Sequence, residues 1–303
     1  MSKIYDVIVL GAGPAGLAAG LYAGRSRLSV LIVEKGQDGG QISITDEIEN
    51  YPGQVVDQPE SGPSLIARMT EQAKKFGAER VSDTIKEVSL EGEVKVLKGE
   101  KGEYQAKNII IATGAHARPI GCKGEAEFLG RGVSYCAVCD GPFFKEKTAA
   151  VVGGGSAALQ DALYLAGICS KVYLIHRRDT FRAEKSLIDQ VMTAENIECV
   201  MESRVTALIG EKKLTELEVT NLSGEKKTLV ADGLFVAIGM EPHNEVFRDL
   251  VDLDEAGYVI AGENCKTRTP GVYAAGDCRT KTVRQLTTAA ADGTVCGLVC
   301  KAV

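Results

Sequence analysis

Apolar positions in this chain gather into short β-branched runs that stop on glycine. Residues 5–10, Tyr-Asp-Val-Ile-Val-Leu, lead into Gly11-Ala12-Gly13-Pro14-Ala15-Gly16 and then into the small-residue stretch LAAGLYAGRS. A buried apolar run closed by glycines and followed by small residues predicts strand, tight turn and helix. The plan returns further on, where AAVV at 149–152 runs into Gly153-Gly154-Gly155-Ser156-Ala157-Ala158 and then LQDALYLAG. One glycine pattern alone is weak, but the following strands agree in register. VLIVEK places Glu34 23 residues after Gly11, and VYLIHRR places His176 23 residues after Gly153. Each unit therefore predicts a site where backbone N–H groups and a helix dipole meet a pyrophosphate.

The ends of the two units also match, since NIIIATGA (108–115) and GLFVAIGM (233–240) are apolar runs stopping at Gly114 and Gly239. A further strand-like segment, TPGVYAAGDC at 269–278, reaches Gly276-Asp277 and precedes a helix-like stretch with no new glycine fingerprint. It completes the first unit. The predicted fold is α/β, with two Rossmann-like dinucleotide-binding domains. The first domain is discontinuous, 1–115 plus 241–303, and the second, 116–240, is inserted into it.

A length of 303 residues suits two such domains, and 35 basic against 41 acidic residues give a net charge of −6. A nucleic-acid binder would show a basic surplus, so no nucleic-acid partner is expected. No apolar run approaches the roughly 18 residues of a membrane span, and the first residues lack a signal-peptide plan. A cytoplasmic protein with no membrane association is the expectation. Nine cysteines, seven of them (122, 169, 199, 265, 278, 296, 300) outside any short thiol motif, fit a reducing compartment, with most acting as buried apolar fillers.

Glu34 ends the second strand of the first unit, where a carboxylate accepts hydrogen bonds from ribose hydroxyls and repels a 2′-phosphate, favouring FAD or NAD. The equivalent position of the second unit holds His176-Arg177-Arg178, with Arg182 close behind. Guanidinium groups bind phosphate in a charge-assisted, bidentate way and a histidine can add a donor, so this unit favours NADPH.

Cys136-Ala-Val-Cys139-Asp140 carries the candidate chemistry. A Cys-x-x-Cys pair can be half of a zinc site, a redox-active disulfide or a coincidence. Two dinucleotide units supply an electron donor and a relay, which strengthens the redox reading. Reducing a disulfide needs an attacking thiolate and a proton for the leaving sulfur. Asp140 is the nearest candidate acid, and its equally weighted alternative is a turn or capping role in Asp140-Gly141-Pro142.

The set GAGPAG, ATGA, CAVCD, GGGSAA, HRRDTFRAEK and GVYAAGDC, in this order, closely resembles the low-molecular-weight bacterial thioredoxin reductases over essentially the whole chain. The resemblance implies a homodimeric NADPH-dependent flavoenzyme that passes electrons through FAD and a Cys136–Cys139 disulfide to thioredoxin or a thioredoxin-like small protein. It implies that FAD lies in the discontinuous domain and NADPH in the inserted one, and that the two domains rotate during turnover. The FAD contacts carried over are Gly11, Gly13, Pro14, Ala15, Gly16, Glu34, Lys35, Gly40, Gln41, Asn50, Val81, Thr113, Gly114, Gly276, Asp277, Arg284, Gln285 and Leu286. The NADPH contacts are Gly153, Gly155, Ser156, Ala157, His176, Arg177, Arg178, Arg182, Ile238 and Gly239. No metal is expected. The rival readings are a different disulfide acceptor, such as a glutaredoxin-like protein, and a non-catalytic flavin-binding redox sensor.

Overall fold

The computed structural model describes residues 3–45, 47–54, 58 and 60–300. The chain forms two compact units, Met1–His116 with Glu241–Val303, and Ala117–Met240.

In the first unit the strand Ile4–Leu10 lies between Val30–Glu34 and Glu103–Ile111, parallel to both. Ala78–Ser82 extends the sheet beyond Val30–Glu34, and Val272–Ala274 pairs with Glu103–Ile111, again in parallel. The antiparallel strands Lys95–Gly99 and Ile85–Ser89 complete seven strands. Successive side chains point to opposite faces of a strand, so the first strand feeds two cores. Val7 and Val9 join the core on one face with Ala19, Val30, Ile32 and Ile110. Ile8 and Leu10 join the other with Leu31, Val33, Ile109 and Phe247.

Helix Pro14–Arg25 packs closely against helix Leu286–Val299. Small residues permit the approach: a Cβ at Gly293 would lie 2.1 Å from the Ala15 carbonyl oxygen, and one at Gly297 would lie 2.7 Å from that of Ala19. Any larger side chain there forces the helices apart. The late helix thereby brings its own N-terminus towards the first glycine turn.

The second unit has a five-stranded parallel sheet in the order Ile197–Val200, Lys171–Ile175, Thr148–Val152, Gly233–Val236, Val133–Ser134. Helix Ser156–Ala166 follows Thr148–Val152 and buries Ala158, Leu159, Ala162 and Leu165. Three antiparallel strands, Ser203–Gly210, Leu214–Asn221 and Lys226–Val230, form a separate sheet in this unit. Among the described residues no helix is long and apolar enough to cross a membrane.

Candidate functional site

The first glycine turn has the backbone its sequence requires. Gly11 has φ +109°, and a Cβ there would lie 2.3 Å from the Ala112 carbonyl oxygen. Only glycine meets both conditions. Gly13 is the N-cap of helix Pro14–Arg25 and offers no side-chain cap, which leaves the first-turn N–H groups facing whatever occupies the turn. The carboxylate of Glu34 accepts hydrogen bonds from Ala12 N–H and Gly36 N–H, both at 2.8 Å. Two oxygens held this way keep lone pairs for ribose hydroxyls.

Other predicted residues converge on this turn. Gly39 N–H donates to the Ala12 carbonyl at 2.9 Å, which draws the segment carrying Lys35, Gly40 and Gln41 beside it. The Gln41 side-chain amide donates to the Ala115 carbonyl. Gly276 faces the first helical turn, where its Cβ would lie 2.8 Å from that of Ala15. Asn50 Nδ2 donates to Gln285 Oε1 at 3.4 Å. Gln285 in turn caps helix Leu286–Val299 through a capping box with Thr288, so Leu286 is the first helical residue. Arg284 lies over the Tyr258 ring, 4.2 Å from its centroid. Val81 pairs with Val33 in the sheet and is half-buried against the core.

The Asp277 side chain marks the site most sharply. Its Oδ1 is buried without a hydrogen-bond partner among the described residues. Burial pushes its pKa up, against the opposing pull of Lys281 and Arg284. A buried oxygen left unpaired costs about 1–3 kcal/mol, so an outside donor is called for. Ribityl hydroxyls fit, and the glycine cradle fits a pyrophosphate, so these residues suit FAD.

Two supports for Asp277 were invisible in the sequence. Asn244 is buried, donates through Nδ2 to the carbonyls of Gly257 and Cys278, and accepts from Thr113 Oγ1 at 3.0 Å. Asp292 is buried and accepts two bonds at 2.8 Å from the Arg279 guanidinium, one at 2.8 Å from Lys281 Nζ and one at 2.9 Å from Gly276 N–H. Burial alone would raise its pKa; the two cations and the N–H outweigh that and hold it down. The Gly276-Asp277 turn is thus fastened to the late helix through an ion-paired core.

The second glycine turn repeats the first. A Cβ at Gly153 would lie 2.4 Å from the Ala237 carbonyl oxygen, and Gly155 is an N-cap without a side-chain bond. Ser156 and Ala157 open the helix and are exposed. Arg182 N–H donates to the Gly154 carbonyl at 2.7 Å, which ties the basic segment to the turn. Arg177 and Arg182 are exposed and Arg178 is half-buried. Among the described residues none of the three guanidinium groups forms an ion pair. That is a cluster of positive charge open to an anion. Ile238 is exposed and Gly239 has φ +117°, at the end of the neighbouring strand.

His176, expected as a further donor, is buried beside the turn. Its ring occupies the space that a Cβ on Gly154 would need, stacks on Phe181, and sets Nε2 3.1 Å from the Thr180 carbonyl. That acceptor assigns the proton to Nε2 and leaves Nδ1 a lone pair. Burial, aided by the three arginines, pushes its pKa down and keeps it neutral. The His176 ring thus packs behind the glycine turn, and the guanidinium groups of Arg177 and Arg182 are the exposed cations of the segment.

Cys136 and Cys139 form a disulfide with Cα atoms 5.3 Å apart. Cys136 is the N-cap of the short helix Ala137–Asp140 and Cys139 lies within it, where Cys139 N–H donates to Cys136 Sγ at 3.2 Å. An N–H directed at sulfur favours its thiolate. Asp140 makes no side-chain cap to the following 3-10 turn, Gly141–Phe144. Its Oδ2 instead accepts from Ser134 Oγ at 2.5 Å. Of the other cysteines, 169, 265, 278, 296 and 300 are buried, while 122 and 199 are half-buried.

The sequence profile of the pyridine nucleotide-disulphide oxidoreductase family matches residues 5–293. The chain is 46% identical over 302 residues to a thioredoxin reductase of Peptoclostridium acidaminophilum, covering 97% of this chain and 95% of the relative. It is 44% identical over 295 residues to a thioredoxin reductase of Bacillus subtilis, covering 97% and 92%. The crystal structure of thioredoxin reductase from Streptococcus pyogenes superposes with a TM-score of 0.94 at 40% identity, covering 99% of this chain and 98% of that one.

Proposed function

The chain belongs to the pyridine nucleotide-disulphide oxidoreductase family, and on that premise we propose that it is a thioredoxin reductase working from NADPH through FAD and the Cys136–Cys139 disulfide. The net reaction consumes NADPH, a proton and a disulfide, and yields NADP⁺ and a dithiol. FAD and NADPH supply the hydride chemistry and the two-electron relay. Everything else falls to this chain's residues.

In the discontinuous unit Gly11, Gly13, Ala15 and Gly16 cradle the FAD pyrophosphate, and Glu34 takes the ribose hydroxyls. Asp277 receives the ribityl hydroxyls, with Thr113, Gly114, Asn50, Arg284, Gln285 and Leu286 around them. In the inserted unit the turn Gly153–Ala157 holds the NADPH pyrophosphate, while Arg177, Arg178 and Arg182 clamp its 2′-phosphate.

Reduction of the Cys136–Cys139 disulfide yields one thiolate and one thiol. Cys136 Sγ, given the Cys139 N–H, suits the thiolate, and Asp140 supplies the proton to the departing sulfur. The thiolate then attacks the partner's disulfide, and the second cysteine resolves the mixed disulfide. A homodimer in the cytoplasm belongs to the same proposal, supported by the family resemblance. The Cys136–Cys139 disulfide in the unit that carries the basic clamp is the observation that carries the reading. Steady-state NADPH oxidation with thioredoxin, a glutaredoxin-like protein and a small disulfide tests it. Turnover is expected with thioredoxin, and turnover only with another acceptor would replace the assignment.

A further inference from the structure

The acid role of Asp140 needs its carboxyl held beside the cysteines, and the side chain that holds it lies six residues upstream. Ser134 is buried, with 5% of its surface exposed. It ends the strand Val133–Ser134, where it pairs with Phe235 of the central parallel sheet. Its hydroxyl is therefore set on a sheet strand, as precise positioning requires.

Ser134 Oγ lies between the two reacting partners. It accepts from Cys136 N–H at 3.0 Å and donates to Asp140 Oδ2 at 2.5 Å. The Cys136 carbonyl is a second acceptor, at 3.3 Å. One hydroxyl hydrogen cannot fully serve both acceptors, and the distances choose the carboxylate. The hydroxyl hydrogen is thus directed at Asp140 Oδ2.

We propose that Ser134 is a positioning residue for disulfide reduction, holding Asp140 beside the Cys136–Cys139 pair and bonding the carboxylate that forms when Asp140 protonates the departing sulfur. This rests on the reading of Asp140 as the acid. In the step, two electrons enter and the Cys136–Cys139 bond breaks. One proton leaves Asp140 for one sulfur, and the products are a thiol, a thiolate and the Asp140 carboxylate. The Ser134 hydroxyl is already aimed at the oxygen where that negative charge appears, so nothing reorganises as it forms. The backbone N–H of Cys136 fixes the hydroxyl's other side and ties its orientation to the cysteine itself.

The test uses the FAD-loaded enzyme in four forms: wild type, Ser134→Ala, Asp140→Asn and the double variant. Stopped-flow absorbance follows reduction of the flavin by NADPH, and rapid-quench alkylation follows release of the Cys136 and Cys139 thiols. Flavin reduction by NADPH should be unchanged in all four. Thiol release should fall at least about tenfold in Ser134→Ala, less than the roughly 10²- to 10⁴-fold that loss of the general acid itself costs. Ser134→Thr, which keeps the hydroxyl, should recover most of the rate. Residues that act through one another are not additive, so Ser134→Ala should cost less than about twofold more in the Asp140→Asn background. An equal loss in both backgrounds, or wild-type release in Ser134→Ala, overturns the proposal. Wild-type release in Asp140→Asn overturns the acid reading and this inference with it. Slow Asp140→Asn beside fast Ser134→Ala overturns this inference alone.

Discussion

Replacing Arg177 and Arg178 together by alanine tests the assignment of NADPH to the inserted unit. Arg178 is half-buried and Arg177 is exposed. A charge-assisted hydrogen bond from a partly desolvated group contributes about 1.5–3 kcal/mol. An exposed pair contributes about 0–1 kcal/mol, because water and salt screen it. Arg182, whose backbone is tied to Gly154, remains in the variant as a single clamp. The expected loss is therefore about 1.5–3 kcal/mol, carried mainly by Arg178, which corresponds to roughly ten- to a hundredfold. It should appear in KM for NADPH, with kcat nearly unchanged, because the contact is made equally in ground and transition states. NADH lacks the 2′-phosphate and should be used as well as before. Salt gives a second reading: the Debye length falls from about 10 Å at 0.1 M to about 3 Å at 1 M, so the wild-type preference for NADPH should shrink with salt. The variant's smaller preference should move much less. Steady-state kinetics with both nucleotides at two salt concentrations supply every number. An unchanged NADPH-to-NADH ratio in the double variant would refute the clamp.

Asp277→Ala removes the buried acceptor at the proposed ribityl site and should lower FAD retained after gel filtration, with the flavin released on denaturation identified as FAD in the wild type; full retention would contradict the role. Asp292→Asn leaves Arg279 and Lys281 buried without their carboxylate and should destabilise the first unit by about 3–5 kcal/mol, read as a lower denaturant midpoint. Asp292 is held below its ordinary range in the fold, so the stability it contributes is full above the ordinary carboxylate pKa, about 3.9, and is lost as pH falls through the lower folded value. A wild-type acid-denaturation profile in Asp292→Asn would exclude that contribution.

What the sequence made legible was local. Gly11 and Gly153 need a backbone that other residues resist, so their spacing announces two turns before any packing is known. The apolar runs on either side have the alternation that the two cores of the first unit use, Val7 and Val9 against Ile8 and Leu10. The cysteine pair is a matter of three residues. Contacts made across the chain left no such trace. Asn244 holds Thr113 from 131 positions away, and no sequence pattern links the two. Asp292 sits inside a helix pattern of small residues, where a single carboxylate gives no sign of the two cations it will meet. His176 occupies the ribose-reading register, yet its ring is set by Gly154 and Thr180, and the carbonyl opposite Nε2 decides what it can donate. The antiparallel strands between Ser203 and Val230 lack any glycine fingerprint and are defined by pairing with each other. Ser134 falls in the same class, because only the folded sheet shows that its hydroxyl reaches Asp140.

The central claim is that electrons leave the flavin through Cys136 and Cys139, and the Cys139→Ser protein tests it most directly. Under anaerobic conditions NADPH is added to the FAD-loaded variant, the flavin absorbance is followed, and thioredoxin is then supplied with its free thiols counted. Removing one sulfur breaks the path after the hydride step, so the flavin should bleach at the wild-type rate and no thioredoxin thiols should appear above the enzyme-free control. Thioredoxin reduced at an undiminished rate by Cys139→Ser would contradict the account.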